Sequence, residues 1–169
     1  MIEKYYGDMV VQDIPRPEKP AEVPQTKERF TDLSHAQATS EILLVGYPIP
    51  SLTSPEAIPF SLLGTHLSIG MEAKLRKLLV DKGIAVSSSA EPSAQPDMFE
   101  FSAHLTEKNK AEKALQIIDK EIKNLQTTVI SKPSFERALN QELLSLYKNI
   151  SDNSSMANLL GENLMLTDN

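Results

Sequence analysis

The sequence predicts an α+β domain in two layers, a largely antiparallel sheet covered by helices on one face. Three observations predict it. Strand-like segments come in pairs joined by short turns, long helical segments follow each pair, and strands and helices do not alternate singly as in a doubly wound fold. At 169 residues the chain has the length of one domain. Its 40% apolar and 24% charged residues suffice for a packed core, which excludes wholesale disorder.

The elements follow in order. Ile2–Tyr6 reads as the stub of a preceding domain. Residues 8–26 hold Pro15, Pro17, Pro20 and Pro24, which fix φ and remove backbone donors, so an extended linker is expected there. Lys27–Ser34, with Phe30 and Leu33 among polar residues, reads as a half-exposed strand. Ala38–Tyr47 carries the run Ile42-Leu43-Leu44-Val45, which suggests a central strand buried on both faces. Ser54 and Pro55 are an N-cap and a first helical residue for a helix through Leu63, with Gly64 and Gly70 bracketing a loop.

Met71–Lys82 has a one-sided apolar stripe of Leu75, Leu78 and Leu79, and Gly83 is placed to end it. A strand from Ile84 to Ser89 follows, then a turn at Pro92, Pro96 and Asp97. Met98–Leu105, apolar at 99, 101, 103 and 105, has the period of two expected of an amphipathic strand. Four main strands are thus expected. Asn109 with Glu112 resembles a capping box for a helix to about 126. Ser131 and Pro133 open a helix whose stripe is Phe135, Leu139, Leu143, Leu146 and Ile150; a last helix covers about 155–164. The stripes of the helices at 109–126 and 133–150 are expected to pack on the sheet.

Composition removes several functions. The net charge of −6 argues against nucleic acid and anionic membrane as partners. No apolar run approaches the ~20 residues of a membrane span. The absence of cysteine removes disulfides, thiol nucleophiles and cysteine-ligated metals, but leaves a cytoplasmic or periplasmic location equally open. His35, His66 and His104 are too dispersed for a helical zinc pair. His104 falls on the polar phase of its strand, and His66 near a helix end where a positive charge suits the dipole. Gly64 and Gly70 lack phosphate-loop spacing, and Ser87–Ser89 lacks the setting of a nucleophile elbow. The pairs Glu100/Glu107 and Glu112/Asp119 read as solvated faces. No catalytic or metal-binding residue is therefore assigned in this chain.

One block carries a resemblance. Leu62-Leu63-Gly64, then Gly70-Met71-Glu72-Ala73-Lys74-Leu75-Arg76-Lys77-Leu78-Leu79-Val80-Asp81-Lys82-Gly83-Ile84-Ala85-Val86, resembles the second-domain block of the insulinase/pitrilysin family of zinc metallopeptidases, which includes mitochondrial processing peptidase. That block has a glycine-rich turn, a helix ending in Leu-Arg-Glu or Leu-Val-Glu, then Gly-Leu-Ala and a strand. Tyr5-Tyr6-Gly7-Asp8 is similar to the motif closing the preceding family domain, and Gln37 with Leu43–Pro48 to the family's glutamine-led strand.

The resemblance implies a metalloprotease half-domain, one of two homologous halves that close like a clamshell on a peptide. The zinc motif H-x-x-E-H is absent here, so this chain resembles the non-catalytic half. The zinc is then expected in the catalytic half, in the same or a partner chain. Residues 1–26 would be the end of the preceding domain and the linker, and 27–169 the non-catalytic domain, stopping short of a further strand and helix. Active members place an arginine and a tyrosine toward substrate; the matching positions here are Val80 and Val86. The expected substrate-cleft lining is Gly83, Val86 and Ser87. The expected function is to close over the catalytic half and position peptide. The alternatives are a scaffold or assembly subunit of a catalytically dead family member, and a standalone binding domain.

Overall fold

The computed structural model describes residues 2–10, 25–51, 53–94 and 97–167. It divides into two compact units, Met1–His35 and Ala36–Asn169. The first contains the short helix α1 (Ile2–Tyr6). Pro15, Pro17, Pro20 and Pro24 lie outside the described residues, as does Pro96. Lys27–Ser34 is not a strand: it is irregular, with Phe30 and Leu33 fully exposed.

The second unit is α+β. Its antiparallel sheet has the order β1-β3-β2, formed by β1 (Ile42–Pro48), β2 (Ala85–Ala94) and β3 (Asp97–Leu105). The described residues thus form three strands where four were expected. The central strand is β3, and β1, expected in the middle, is an edge strand. The reason is visible in β1 itself. Leu43, Val45 and Tyr47 face the core, while Ile42, Leu44, Gly46 and Pro48 face out. The apolar run covers one buried face and one open one. Pro92 and Asp97, expected in the turn, lie within β2 and β3; proline is tolerated in β2 because that strand is an edge.

The inner face of the sheet carries Phe99, Phe101, Ala103 and Leu105 of β3, all buried, as the period of two predicts. Phe99 and Phe101 meet edge-to-face at 5.2 Å between ring centroids. Against this face packs α3 (Ala111–Thr127), burying Ala114 and Ile118. The Tyr47 hydroxyl donates to Asp119 Oδ1 at 3.2 Å, fastening β1 to α3. Asn109 does not cap this helix. It sits at φ +67°, and Lys110 occupies the cap position without a side-chain bond to the helix N–H groups.

Ser54 does cap, accepting from the Glu56 N–H at 3.2 Å, but the helix opens as a 3-10 turn, Pro55–Ala57. It continues as α2 (Ile58–Ser68), straight through Gly64. A Cβ at Gly64 would lie 2.9 Å from the Ala90 carbonyl oxygen, so this glycine is a contact point between helix and strand rather than a loop boundary. The Ser68 hydroxyl donates to the Ala90 carbonyl and accepts from its N–H, which fixes α2 along β2.

The expected helix Met71–Lys82 is shorter, ending in a π-helical turn, Arg76–Val80. Two further helices, α4 (Lys132–Ser151) and α5 (Asn153–Thr167), follow. Asp152 caps α5, its Oδ1 accepting from the N–H groups of Ser154 and Ser155. The stripe of α4 does not pack on the sheet. α4 lies against α2 and α5, and Phe135, Leu139, Leu143, Leu146 and Ile150 stay 36–46% exposed.

Candidate functional site

The site assembles where the π-helical turn runs into β2. Gly83 has φ +66°, a left-handed conformation that glycine adopts without a Cβ penalty. Its N–H donates to the Val80 carbonyl, and the Ile84 N–H to the Leu79 carbonyl, both at 2.9 Å. This is a Schellman closure, with Ile84 and Leu79 joined in the core as that motif favours. The Gly83 carbonyl is held from the other side. Thr106 Oγ1 donates to it at 2.8 Å and Lys110 Nζ at 3.0 Å, while the Thr106 N–H donates to the Ile84 carbonyl at 3.1 Å. Lys110 is itself paired with Glu107 at 3.3 Å. The turn is therefore fixed at every polar group it presents to β3 and α3.

Beyond it, Ile84 and Ala85 are buried, and then the register breaks. Ala85 pairs with Leu105 but Ser87 with His104, so Val86 is an extra residue in a β-bulge. Val86 is 68% exposed. A bulge turns a side chain off the face its parity would give it, and Val86 leaves the inner face to which Ser88 and Ala90 belong. Register then defines the open face. One row holds Ile42, His104 and Ser87; the next holds Leu44, Ser102 and Ser89, the last two hydroxyls 2.9 Å apart. Ile42 and Leu44 are exposed there, 56% and 65%. The expected lining residues Gly83, Val86 and Ser87 are all exposed: Ser87 on this face, Val86 at the bulge beside it and Gly83 in the turn before the strand. Val80 is half-buried and separate from it in kind, since it belongs to the π-helical turn. The bulge was not readable from spacing, because one inserted residue leaves no mark in a short polar strand.

A second polar cluster was not anticipated. His66 on α2 has its Nδ1 buried without a hydrogen-bond partner. Burial pushes its pKa below the usual histidine value, Arg137 and Lys74 push it further, and Glu121 opposes them. His66 does lie in the last turn of α2, as expected, but burial there disposes the imidazole to be neutral rather than to carry the charge that would suit the helix dipole. Glu121, 7% exposed, meets Lys74 at 3.5 Å and accepts from Asn124. Thr65 donates to Glu142 of α4. Beside this cluster a cavity of about 540 Å³ is lined by Leu78, Ile117 and Glu121.

Among the described residues no group of three histidine or acidic side chains stands close enough to hold a metal ion. These residues do not fit a zinc site. No described helix is long and apolar enough to cross a membrane.

Comparison with known proteins places this geometry. Residues 1–142 match the family model described as the inactive domain of peptidase M16. The chain belongs to that family, in its non-catalytic domain. A solved inactive peptidase domain, of a protein assigned as a zinc protease from Bordetella parapertussis, superposes with a TM-score of 0.65 at 23% identity. That match covers 76% of this chain and 72% of the other. A protease from Helicobacter pylori superposes with a TM-score of 0.76 at 21% identity, over 98% of this chain and 41% of that one. At these identities the likeness is one of fold. No curated protein sequence matches the chain. Membership of the inactive domain implies pairing with a catalytic half.

Proposed function

We propose that this domain closes over the catalytic half of a zinc metallopeptidase and holds peptide substrate against it. The zinc, in this reading, is held entirely by the catalytic half. The observation that carries the proposal is the bulge at Val86, which exposes an apolar side chain on a strand whose neighbours Ile84 and Ala85 are buried.

The chemistry available is positioning. Val86, Ile42 and Leu44 offer apolar contact to peptide side chains on a sheet face that also carries the hydroxyls of Ser87, Ser89 and Ser102, the His104 imidazole and, in the row of Gly46, the carboxylates of Glu100 and Glu91. The fixed Gly83 turn keeps that wall in place when the halves close, and closure excludes water from the reacting bond. With valines at positions 80 and 86, neither of these positions supplies charge to the transition state; attack on the carbonyl is the work of the catalytic half.

The test is Val86→Asp in the protein that pairs this domain with its catalytic half, assayed on a mixed peptide library. Turnover should fall by tenfold or more while the melting temperature holds. Unchanged turnover would remove Val86 from the cleft.

A further inference from the structure

We infer that the free edge of β1 is a self-association surface, through which two copies of this chain join their sheets by antiparallel β1–β1 pairing. The backbone sets the geometry. Glu41 and Ile49 bond to β3 through the Leu105 N–H and the Asp97 carbonyl, and Leu43, Val45 and Tyr47 lie in register between them. Alternation therefore points the N–H and C=O groups of Ile42, Leu44 and Gly46 away from β3. Among the described residues β1 pairs with no strand on that side.

The two edges of the sheet are treated differently. On β2 the Ser68 hydroxyl satisfies both the N–H and the C=O of Ala90, the strand contains Pro92 and Glu91, and a bulge bends its start. These are the devices by which proteins block an edge. β1 has none of them before its terminal Pro48. Its sequence, Ile-Leu-Leu-Val-Gly-Tyr-Pro, carries no charge, and its outward residues Ile42 and Leu44 are exposed.

The occupant that fits is a second β1. Pairing about a two-fold axis at Leu44 sets Leu44 against its own copy and Ile42 against Gly46. The outer side of Gly46 is covered by the Met98 methyl group, against which the isoleucine packs, and every outward donor from 42 to 46 meets an acceptor. Along the chain the nearest charged residue, Glu41, then lies about 20 Å from its counterpart, at ~3.3 Å per residue, and Glu100, the partner of Gly46 on β3, lies about 20 Å from its own, three strand spacings across and four residues along; both exceed the ~8 Å screening length of physiological salt. Strand pairing meets no like-charge contact, and the remaining opposition, from a net charge of −6 on each chain, is screened by salt.

Sedimentation equilibrium of the whole chain, with amide hydrogen exchange, tests this. A dimer is expected that tightens with added salt and protects the N–H groups of Ile42, Leu44 and Gly46. Leu44→Pro removes an N–H that β3 does not use, and should weaken the dimer at least tenfold while leaving a folded monomer. Leu44→Lys, on an exposed side chain, should weaken it severalfold and serves if the proline variant does not fold. A chain that stays monomeric at all concentrations overturns the inference. So does a dimer indifferent to both variants, which would lie on another face such as that of α4 and α5. Protection of those amides only when an extended peptide is added to a monomeric chain also overturns it, in favour of a peptide strand.

Discussion

Ile84, the last residue before β2, and Val86, two residues on and the second of that strand, have opposite fates: Ile84 is 4% exposed and Val86 68%. In a regular strand such residues share a face. The bulge between Ala85 and Ser87 separates them, and with them the two tasks of this segment, filling the core and presenting a side chain outward.

Stability should report that separation. Ile84→Ala is expected to cost about 2–5 kcal/mol, the range for deleting a buried aliphatic side chain. Val86→Asp should stay within about 0.5 kcal/mol of wild type, as a surface change does. Urea unfolding of both variants is the measurement; equal losses would place Val86 in the core.

The Gly83 turn should be sensitive in a different way. A Cβ at Gly83 meets nothing within 4 Å, so Gly83→Ala has only its backbone conformation against it, about 1–2 kcal/mol. Thr106→Val removes the hydroxyl that bonds the Gly83 and Ile84 carbonyls and should cost about 1 kcal/mol. Faster amide exchange at Gly83 and Ile84 in either variant would show the turn loosening; unchanged exchange and stability would mean that these contacts hold nothing.

His66 makes stability depend on pH with a defined sign. Its folded pKa lies below the 6.5 of the unfolded chain, through burial first and then Arg137 and Lys74. Between the two values the unfolded state binds more protons. Its contribution is therefore intact above about pH 6.5 and is lost as pH falls from there toward the folded pKa. The midpoint of urea unfolding, followed downward from pH 7.5, should drop more for wild type than for His66→Gln. Parallel curves would mean that His66 does not titrate differently in the two states.

The parts legible in the sequence were those where periodicity is strong and the environment one-sided. Met98–Leu105 alternates because one face of the sheet is packed and the other open, and that holds even for a central strand. Alternation reports faces, not position in the sheet. Ile42–Val45 misled for the same reason: four apolar residues looked doubly buried, yet Ile42 and Leu44 are exposed and the strand is an edge. Gly83 was legible because a left-handed helix terminus calls for glycine. Gly64 was not, because its need is the closeness of Ala90, a contact distant in sequence. The stripe of α4 announced a helix but could not say that α2 and α5, rather than the sheet, would be its neighbours. Gly83, Val86 and Ser87 were singled out by a resemblance; the bulge that exposes Val86 became visible only in the register of β2 on β3.

The central claim is that the open face at Val86 meets peptide, and photo-crosslinking tests it most directly. A benzophenone amino acid would replace Val86 in the domain paired with its catalytic half, with a slowly hydrolysed peptide bound. The account predicts a crosslink to the peptide from position 86 and none from a matched probe at Leu160, exposed on α5. Peptide captured by probes in the catalytic half, but never from position 86, would contradict it.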